Sequence, residues 1–185
     1  MEISNEKEHE KKNCIVVDEK DNFISIENIK KCHIFPGICH RAFSVLIYDS
    51  ENKILLQQRA KTKYTFPLNW TNSVCSHPRS EKHDILYYVV KRIKEELGII
   101  VDENELKYIT KIKYKSRSDL IWCENEIDYV YICKINIKES DINFDKDEIN
   151  QIKFVTIHEI KEMLENKLLF SPWFRYLFNN LELAL

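Results

Sequence analysis

Glycine is nearly absent from this chain of 185 residues, in which only Gly37 and Gly98 occur. Two isolated glycines cannot form a dinucleotide-binding fingerprint or a Walker A loop, because each of these motifs needs several glycines within one short segment. Any phosphate group that binds here must therefore be held by side chains or by a metal ion.

The sequence also lacks long apolar runs and a large excess of charge. No apolar stretch approaches the roughly 20 residues that span a bilayer, and the polar N-terminus lacks the apolar segment of a secretory signal. A formal net charge of −2 gives no reason to expect nucleic acid or a membrane as a partner. With 44% hydrophobic and 31% charged residues, the chain is expected to be globular and soluble.

Six cysteines are present, yet nothing in the sequence calls for disulfide bonds. We expect no signal peptide, and a chain of this length can form a packed core without covalent cross-links. Most of the thiols are then expected to be small buried hydrophobic groups. The sequence therefore predicts a cytoplasmic protein, which we expect to be a monomer or a weak homodimer.

Hydrophobic periodicity predicts an α+β fold with a mixed β-sheet core flanked by α-helices. Residues 1–13 are expected to be a polar tail and residues 14–185 a single domain. Strands are predicted near residues 14–17, 23–26, 42–48, 54–58, 106–114, 126–135 and 151–155, and helices near 81–97, 158–166 and 172–183. Residues 30–40 and 60–80 are predicted to be irregular, and long loops inside compact domains are usually functional.

One carboxylate falls on the apolar face of the helix predicted over residues 81–97. At about 100° per residue, Glu96 lies between Ile85 and Val89. A buried carboxylate is costly unless a cation meets it, and Arg92 lies one turn earlier. Two interpretations stay open, an ion pair at the rim of the core and a metal ligand.

Two short segments place reactive groups two residues apart. Glu124 and Glu126 share a face if this segment is a strand, and two carboxylates that close call for a cation or raise the pKa of one. Cys75 and His77 have the same spacing, which suits a nucleophile, an acid–base thiol or a metal site. The plainer alternatives are a solvated strand edge and a buried thiol beside a surface histidine.

Histidines and basic residues extend this set. Three imidazoles and two carboxylates would suit zinc or manganese with a coordination position left open: His33, His40, His77, Glu124 and Glu126. The alternative is a structural zinc site formed by Cys32, Cys39, Cys75 and a histidine, although its spacing matches no strong zinc-finger signature. Arg59, Lys63 and Arg92, with Glu96 as a candidate magnesium ligand, could hold a diphosphate.

Most of these residues fall in six ordered segments, at 33–44, 55–59, 66–78, 95–98, 124–129 and 171–174. In this order and spacing the chain resembles the type 1 isopentenyl diphosphate isomerases, which use the Nudix fold. The resemblance runs from about Cys14 to Trp173. Several ordered motifs at compatible spacing are far more specific than any one of them.

The resemblance implies isomerisation of isopentenyl diphosphate to dimethylallyl diphosphate, which supplies isoprenoid biosynthesis. Protons would be added and removed on opposite faces of the alkene, through a tertiary carbocation. Glu126, helped by Tyr114, would handle protonation on one face, and Cys75 proton transfer on the other. Trp173 would lie over the cation, where a π face stabilises positive charge; the alternative is a core aromatic.

The resemblance also implies two metal ions. The three histidines with Glu124 and Glu126 would bind the first, which could be zinc, manganese or magnesium, and Glu96 would bind a magnesium ion that also holds the diphosphate. Arg59, Lys63 and Arg92 match phosphate contacts. A further lysine precedes the first metal histidine in the family, and Lys30 or Ile29 falls at that position.

Two departures bear on the reaction. Nudix hydrolases carry Arg-Glu-x-x-Glu-Glu on the catalytic helix, whereas this chain has Arg92 in place of the first catalytic glutamate. This difference argues against hydrolysis. A Pro-Gly pair of the family is here Pro67-Leu68, which would strain Leu68 if the site needs a positive φ. A Nudix-type diphosphate hydrolase and a non-catalytic zinc-binding domain are the alternative functions.

Overall fold

The computed structural model describes residues 12–181, and within them a mixed sheet is flanked by helices. The strands are β1 (Asn13–Val17), β2 (Phe23–Asn28), β3 (His40–Tyr48), β4 (Ile54–Arg59), β5 (Trp70–Thr71), β6 (Val74–Ser76), β7 (Leu106–Arg117), β8 (Cys123–Lys134) and β9 (Ile149–Val155). The helices are α1 (Ile29–His33), α2 (Ile85–Leu97), α3 (Ile157–Glu165) and α4 (Pro172–Leu181). Among the described residues, no helix is long and apolar enough to cross a membrane.

The α+β class and the seven predicted strands are confirmed, and the differences have local causes. The region predicted as irregular contains α1, whose five residues are too few to show a helical period; Asn28 caps it by accepting from the Lys30 N–H at 3.0 Å. Helix α2 begins later than predicted because Asp84 is its N-cap and accepts from Tyr87 N–H at 2.9 Å. The predicted loop over 60–80 contains β5 and β6.

The predicted tail lies outside the described residues except for its last two positions. Asn13 already belongs to β1, and the Lys12 carbonyl accepts a hydrogen bond from the N–H of Ile29 at 2.6 Å. These two residues therefore pair through their backbone with the rest of the described chain.

Strand β3 is the centre of the sheet. It pairs in parallel with β8 along its whole length, from His40 beside Glu126 to Tyr48 beside Lys134. It also pairs antiparallel with β6, where Ser44 lies beside Cys75. One strand thus aligns the segment that carries the two glutamates with the segment that carries the candidate thiol.

Apolar side chains cover both faces of this sheet. Alternate residues of a strand point to opposite faces, so Phe43 and Val45 of β3 pack under α2, whereas Leu46 packs under α3 and α4. The α2 stripe contributes Val89 and Ile93, and both are fully buried. The two faces of β3 therefore belong to two separate clusters of the core.

Positive φ angles occur at three residues named in the sequence analysis, Gly37, Gly98 and Leu68. Gly98 ends α2 with φ 70, as a C-cap glycine should, and its N–H donates to the Lys94 carbonyl. Leu68 has φ 60, in the left-handed region that costs a side-chain-bearing residue about 1–2 kcal/mol. The strain anticipated at Pro67-Leu68 is therefore present.

Ser73 joins β3 to β4, which pair directly at Tyr48 and Ile54. Its hydroxyl accepts from the Ile47 N–H at 2.7 Å and donates to the Leu55 carbonyl at 2.6 Å. Ser73 is fully buried, so these are internal bonds that water does not replace. The hydroxyl also anchors the segment that leads to Cys75.

Ser73→Ala should lower the free energy of unfolding by about 2–4 kcal/mol, because two buried backbone groups would lose their partner. Urea denaturation followed by circular dichroism measures this. Ser140→Ala is the matched control, since Ser140 is exposed, and its effect should stay within about 0.5 kcal/mol. Equal effects of the two substitutions would contradict the bridging role.

Candidate active site and metal centre

Three histidines and two glutamates converge at one end of β3. Their ligand atoms all lie within 4.8 Å of one another: His33, His40, His77, Glu124 and Glu126. Helix α1 supplies the first, β3 the second, the residue after β6 the third, and β8 both glutamates. The structure thus brings together the five residues that the sequence suggested as ligands of the first metal ion.

Backbone carbonyls orient two of the imidazoles. The Nδ1 of His33 lies 2.7 Å from the Ile29 carbonyl, and the Nδ1 of His40 lies 2.7 Å from the Ile38 carbonyl. A carbonyl can only accept, so each Nδ1 must carry the hydrogen. The Nε2 atoms therefore face the glutamates, which is the usual arrangement of histidines that bind metal.

Two buried atoms of this cluster lack a hydrogen-bond partner, namely the Nε2 of His40 and the Oε2 of Glu124. Each has a short contact, 3.2 Å to Glu126 and 2.9 Å to His33, but without the geometry of a hydrogen bond. Buried polar atoms are nearly always satisfied by a partner. A divalent cation among these five donors would satisfy both, so the residues present fit a metal ion.

The pKa values of the histidines and glutamates in this cluster are shifted in different directions. Burial alone would lower the pKa of His33, but Glu124 and Glu126 outweigh it and raise that pKa to about 9. Burial lowers the pKa of His77 to about 4 despite its 2.7 Å contact with Glu126. Burial would raise the pKa of Glu126, yet His40 and His77 hold it well below its usual range. Glu126 is therefore ionised at neutral pH, as a metal ligand must be.

Cys75 lies on the neighbouring strand with its thiol in a buried, polar setting. The Sγ donates to Asn72 Oδ1 at 2.9 Å and accepts from the indole Nε1 of Trp173 at 3.0 Å. Burial raises the pKa of the Cys75 thiol to about 12. The group is thus a protonated thiol at neutral pH, not a thiolate.

Trp173 connects the thiol with the glutamate. Its indole bonds Cys75 and stacks on Tyr114 with ring centroids 5.9 Å apart, and the Tyr114 hydroxyl donates to Glu126. Arg59 covers the indole at 5.2 Å from the ring centroid. Trp173 is 2% exposed, so it is a core aromatic and also lines the cavity.

A single cavity joins these groups to basic side chains. It is lined by Cys75, Tyr114, Glu124, Glu126, Trp173, Arg59, Lys63 and Arg92. Glu96 lies behind Arg92, which donates to it at 3.1 Å, and burial raises the pKa of Glu96 in spite of that partner. The structure thus contains the ion pair that was one of the two interpretations left open by the sequence.

Lys30 is the predicted contact that the structure does not bring into this cavity. Its side chain is exposed and its Nζ lies over the Tyr64 ring, 5.2 Å from the centroid. Ile29, the alternative position, does line the cavity, but it has no charge. Because α1 turns the chain at this point, adjacent residues face different ways.

Among residues 12–181, the clustered metal donors include no cysteine. Cys32 contacts Cys14 within a small apolar cluster, and Cys75 faces Trp173 and Asn72. The alternative of a structural zinc site built on cysteines is therefore wrong for the described part of the chain.

Comparison with known proteins decides between the families that could use such a site. The family model described as NUDIX domain matches residues 39–174. Isopentenyl-diphosphate Delta-isomerase 1 of Mesocricetus auratus is 42% identical over 88% of this chain and 78% of its own length. The isopentenyl-diphosphate delta-isomerase of Schizosaccharomyces pombe is 39% identical with the same coverage.

The chain belongs to the type 1 isopentenyl diphosphate isomerase family of the Nudix superfamily. The resemblance recognised from the sequence is thereby confirmed.

Solved structures agree on the fold of this isomerase-family protein. The Deinococcus radiodurans protein DR0079 superposes with a TM-score of 0.73 at 12% identity, covering 91% of this chain and 98% of the other. A MutT protein from Methanosarcina mazei Go1 reaches 0.61 at 15% identity, over 79% of this chain and 94% of its own. At such identities these neighbours show the fold alone.

Three residues near the site were given no role by sequence reasoning. Asp128 continues the alternation of Glu124 and Glu126, so the strand period could have found it; it is fully buried and accepts from Ser44 at 2.7 Å. Asn72 accepts from Cys75, and Glu148 pairs with Lys63. No local pattern marks Glu148, because only the fold brings it to the cavity.

The raised pKa of Cys75 predicts how this isomerase-family protein reacts with iodoacetamide. Because only the thiolate reacts, the rate of alkylation should rise roughly tenfold per pH unit from pH 7 to 10. The alkylation rate of an unperturbed thiol levels off above its pKa of about 8.5, and a short blocked peptide with one cysteine provides that reference. Mass spectrometry of the Cys75 peptide measures the rate, and a plateau below pH 9 would contradict the assignment.

Proposed function

We propose that this protein interconverts isopentenyl diphosphate and dimethylallyl diphosphate. The observation that carries the proposal is the joint position of Cys75, Tyr114 and Glu126 around one cavity whose other residues include Arg59, Lys63 and Arg92. Two proton-transfer groups suit the shift of a double bond, and the cations suit a diphosphate. Membership of the isomerase family supports the same reaction.

A double-bond shift needs one group that gives a proton and one that takes it. Cys75 carries its proton because burial raises its pKa to about 12, and Glu126 is ionised because its pKa is held well below the usual range. In this state Cys75 can donate a proton to the substrate and Glu126 can accept one from it. The resemblance instead assigns the protonation of the substrate to Glu126. The reaction is reversible, so each group gives in one direction and takes in the other.

Tyr114 and Trp173 are proposed to position these two groups. The Tyr114 hydroxyl donates to Glu126 and so favours the carboxylate form, while the Trp173 indole N–H holds Cys75 Sγ at 3.0 Å. Because Arg59 and Tyr114 both contact the indole ring, we assign Trp173 first to positioning the thiol. Its stabilisation of a carbocation stays a prediction.

We propose that His33, His40, His77, Glu124 and Glu126 hold one divalent metal ion, and that Glu96 takes part in holding magnesium on the diphosphate. When bound, these ions would neutralise negative charge on the carboxylates and on the diphosphate. Histidine and carboxylate donors suit zinc, manganese or magnesium at the first site. A cytoplasmic monomer or weak homodimer remains the expected state of the protein.

Incubation with isopentenyl diphosphate in deuterated water tests the reaction. We expect dimethylallyl diphosphate that contains deuterium, because the incoming proton is taken from a solvent-exchangeable group. Cys75→Ala should lower kcat by about 10²- to 10⁴-fold, the usual contribution of a positioned acid–base group. Mass spectrometry of the product and a phosphate-release assay give the readouts. Release of phosphate without isomerisation would identify a hydrolase instead.

Removal of one imidazole tests the metal site. His77→Gln should weaken binding of the first metal by about tenfold or more, as measured by metal analysis after dialysis against a buffered chelator. His83→Gln is the matched control, because His83 is exposed and stacks on Tyr87. Cys75→Ala should keep its metal. Full retention of metal by His77→Gln would remove that histidine from the site.

A further inference from the structure

Of the three basic residues proposed to hold the diphosphate, two share a carboxylate partner and one does not. Arg59 donates to neutral oxygens of Thr65, at 3.1 and 2.9 Å to the carbonyl. Lys63 forms an ion pair with Glu148, and Arg92 lies 3.3 Å from the other oxygen of the same carboxylate. One glutamate therefore holds two of the three cations.

Glu148 is fixed by its backbone, while its side chain lines the cavity. Its carbonyl accepts from the Ala60 N–H at 3.0 Å, and its N–H donates to Asp145 at 3.1 Å. Asp145 in turn donates to the Glu96 carbonyl at the end of α2. The side chain is 26% exposed. The carboxylate can thus swing away from its cations without any change in the main chain.

The carboxylate of Glu148 is ionised over the working pH range. Burial would raise its pKa, but Lys63 and Arg92 outweigh burial and lower the pKa to about 2. A diphosphate that binds Lys63 and Arg92 has to compete with this negative charge, since a carboxylate and a phosphate oxygen bind the same donors.

We propose that Glu148 is an internal anion that occupies Lys63 and Arg92 and gives them up to a diphosphate that carries magnesium. The inference rests on the proposed function for the position of the diphosphate. Arg92 contacts both Glu96 and Glu148, so the two carboxylates lie on either side of one guanidinium and are close enough to interact. Once displaced, Glu148 repels a free diphosphate beside Glu96, whereas a magnesium ion on the diphosphate attracts both carboxylates. Glu148 thereby selects the magnesium complex over the free anion.

A carboxylate that only braces the loop would behave differently. If Glu148 merely held Lys63 and Arg92 in place, its loss would weaken the binding of every diphosphate, with or without magnesium. If it competes with the ligand, its loss strengthens binding of the free anion and weakens the effect of magnesium. The two roles therefore predict opposite signs for the magnesium-free measurement.

Calorimetric titration with inorganic pyrophosphate separates them, using the full-length protein with its first metal bound. In magnesium-free buffer, Glu148→Gln should bind pyrophosphate about three- to tenfold more tightly than the unmodified protein, because one partly exposed like charge is removed. The gain in affinity on adding magnesium should shrink by at least the same factor. Unfolding by urea checks that both proteins are folded.

Glu95→Gln is the matched control. Glu95 also accepts from Arg92, at 2.9 Å, and is 31% exposed, but it lies outside the cavity lining and pairs with Arg79 in place of Lys63. Magnesium should increase the affinity of Glu95→Gln for pyrophosphate by the same factor as in the unmodified protein. Weaker or unchanged binding by Glu148→Gln without magnesium would overturn the inference.

Pyrophosphate has no double bond, so this result is independent of isomerisation. A protein that binds pyrophosphate as expected but fails to turn over isopentenyl diphosphate would refute the proposed reaction and leave the role of Glu148 standing. If the protein turns over the substrate but Glu148→Gln shows the bracing pattern, the proposed reaction stands and the role of Glu148 is refuted.

Discussion

The parallel pairing of β3 with β8 is the constraint on which the site depends. It sets His40 beside Glu126, and the opposite neighbour β6 sets Cys75 beside Ser44. Because side chains alternate along a strand, a slip of one residue would turn both glutamates of β8 away from the histidines. The hydrophobic alternation of β3, which packs two different faces of the core, opposes such a slip.

Burying ionisable side chains at this end of the sheet costs free energy, and the attraction between their opposite charges offsets this cost. Three imidazoles meet two carboxylates within 4.8 Å, and the shifts in pKa run in opposite directions at His33 and His77. A divalent ion would replace the protons and satisfy the donors left without partners. Opposite charges also meet beside α2, where Arg92 contacts both Glu96 and Glu148.

The fold by itself does not decide the chemistry. Solved structures share it at only 12–15% identity, so the common fold carries no information about the reaction. The distinguishing features are side chains. The resemblance places Arg92 where a Nudix hydrolase has a catalytic glutamate, and burial keeps the proton on the Cys75 thiol.

Periodicity and motifs that are contiguous in the chain were sufficient to predict the α+β class, the main strands and the family. Because Glu96 and Arg92 lie on one helix, the sequence also offered their pairing as one of two interpretations. Helix α1 and the short strands β5 and β6 escaped it, since so few residues show no period. The position of Lys30 over Tyr64 and the pairing of Glu148 with Lys63 and Arg92 follow from the folded arrangement alone. Such contacts join residues far apart in the chain, and no local pattern encodes where the fold brings them together.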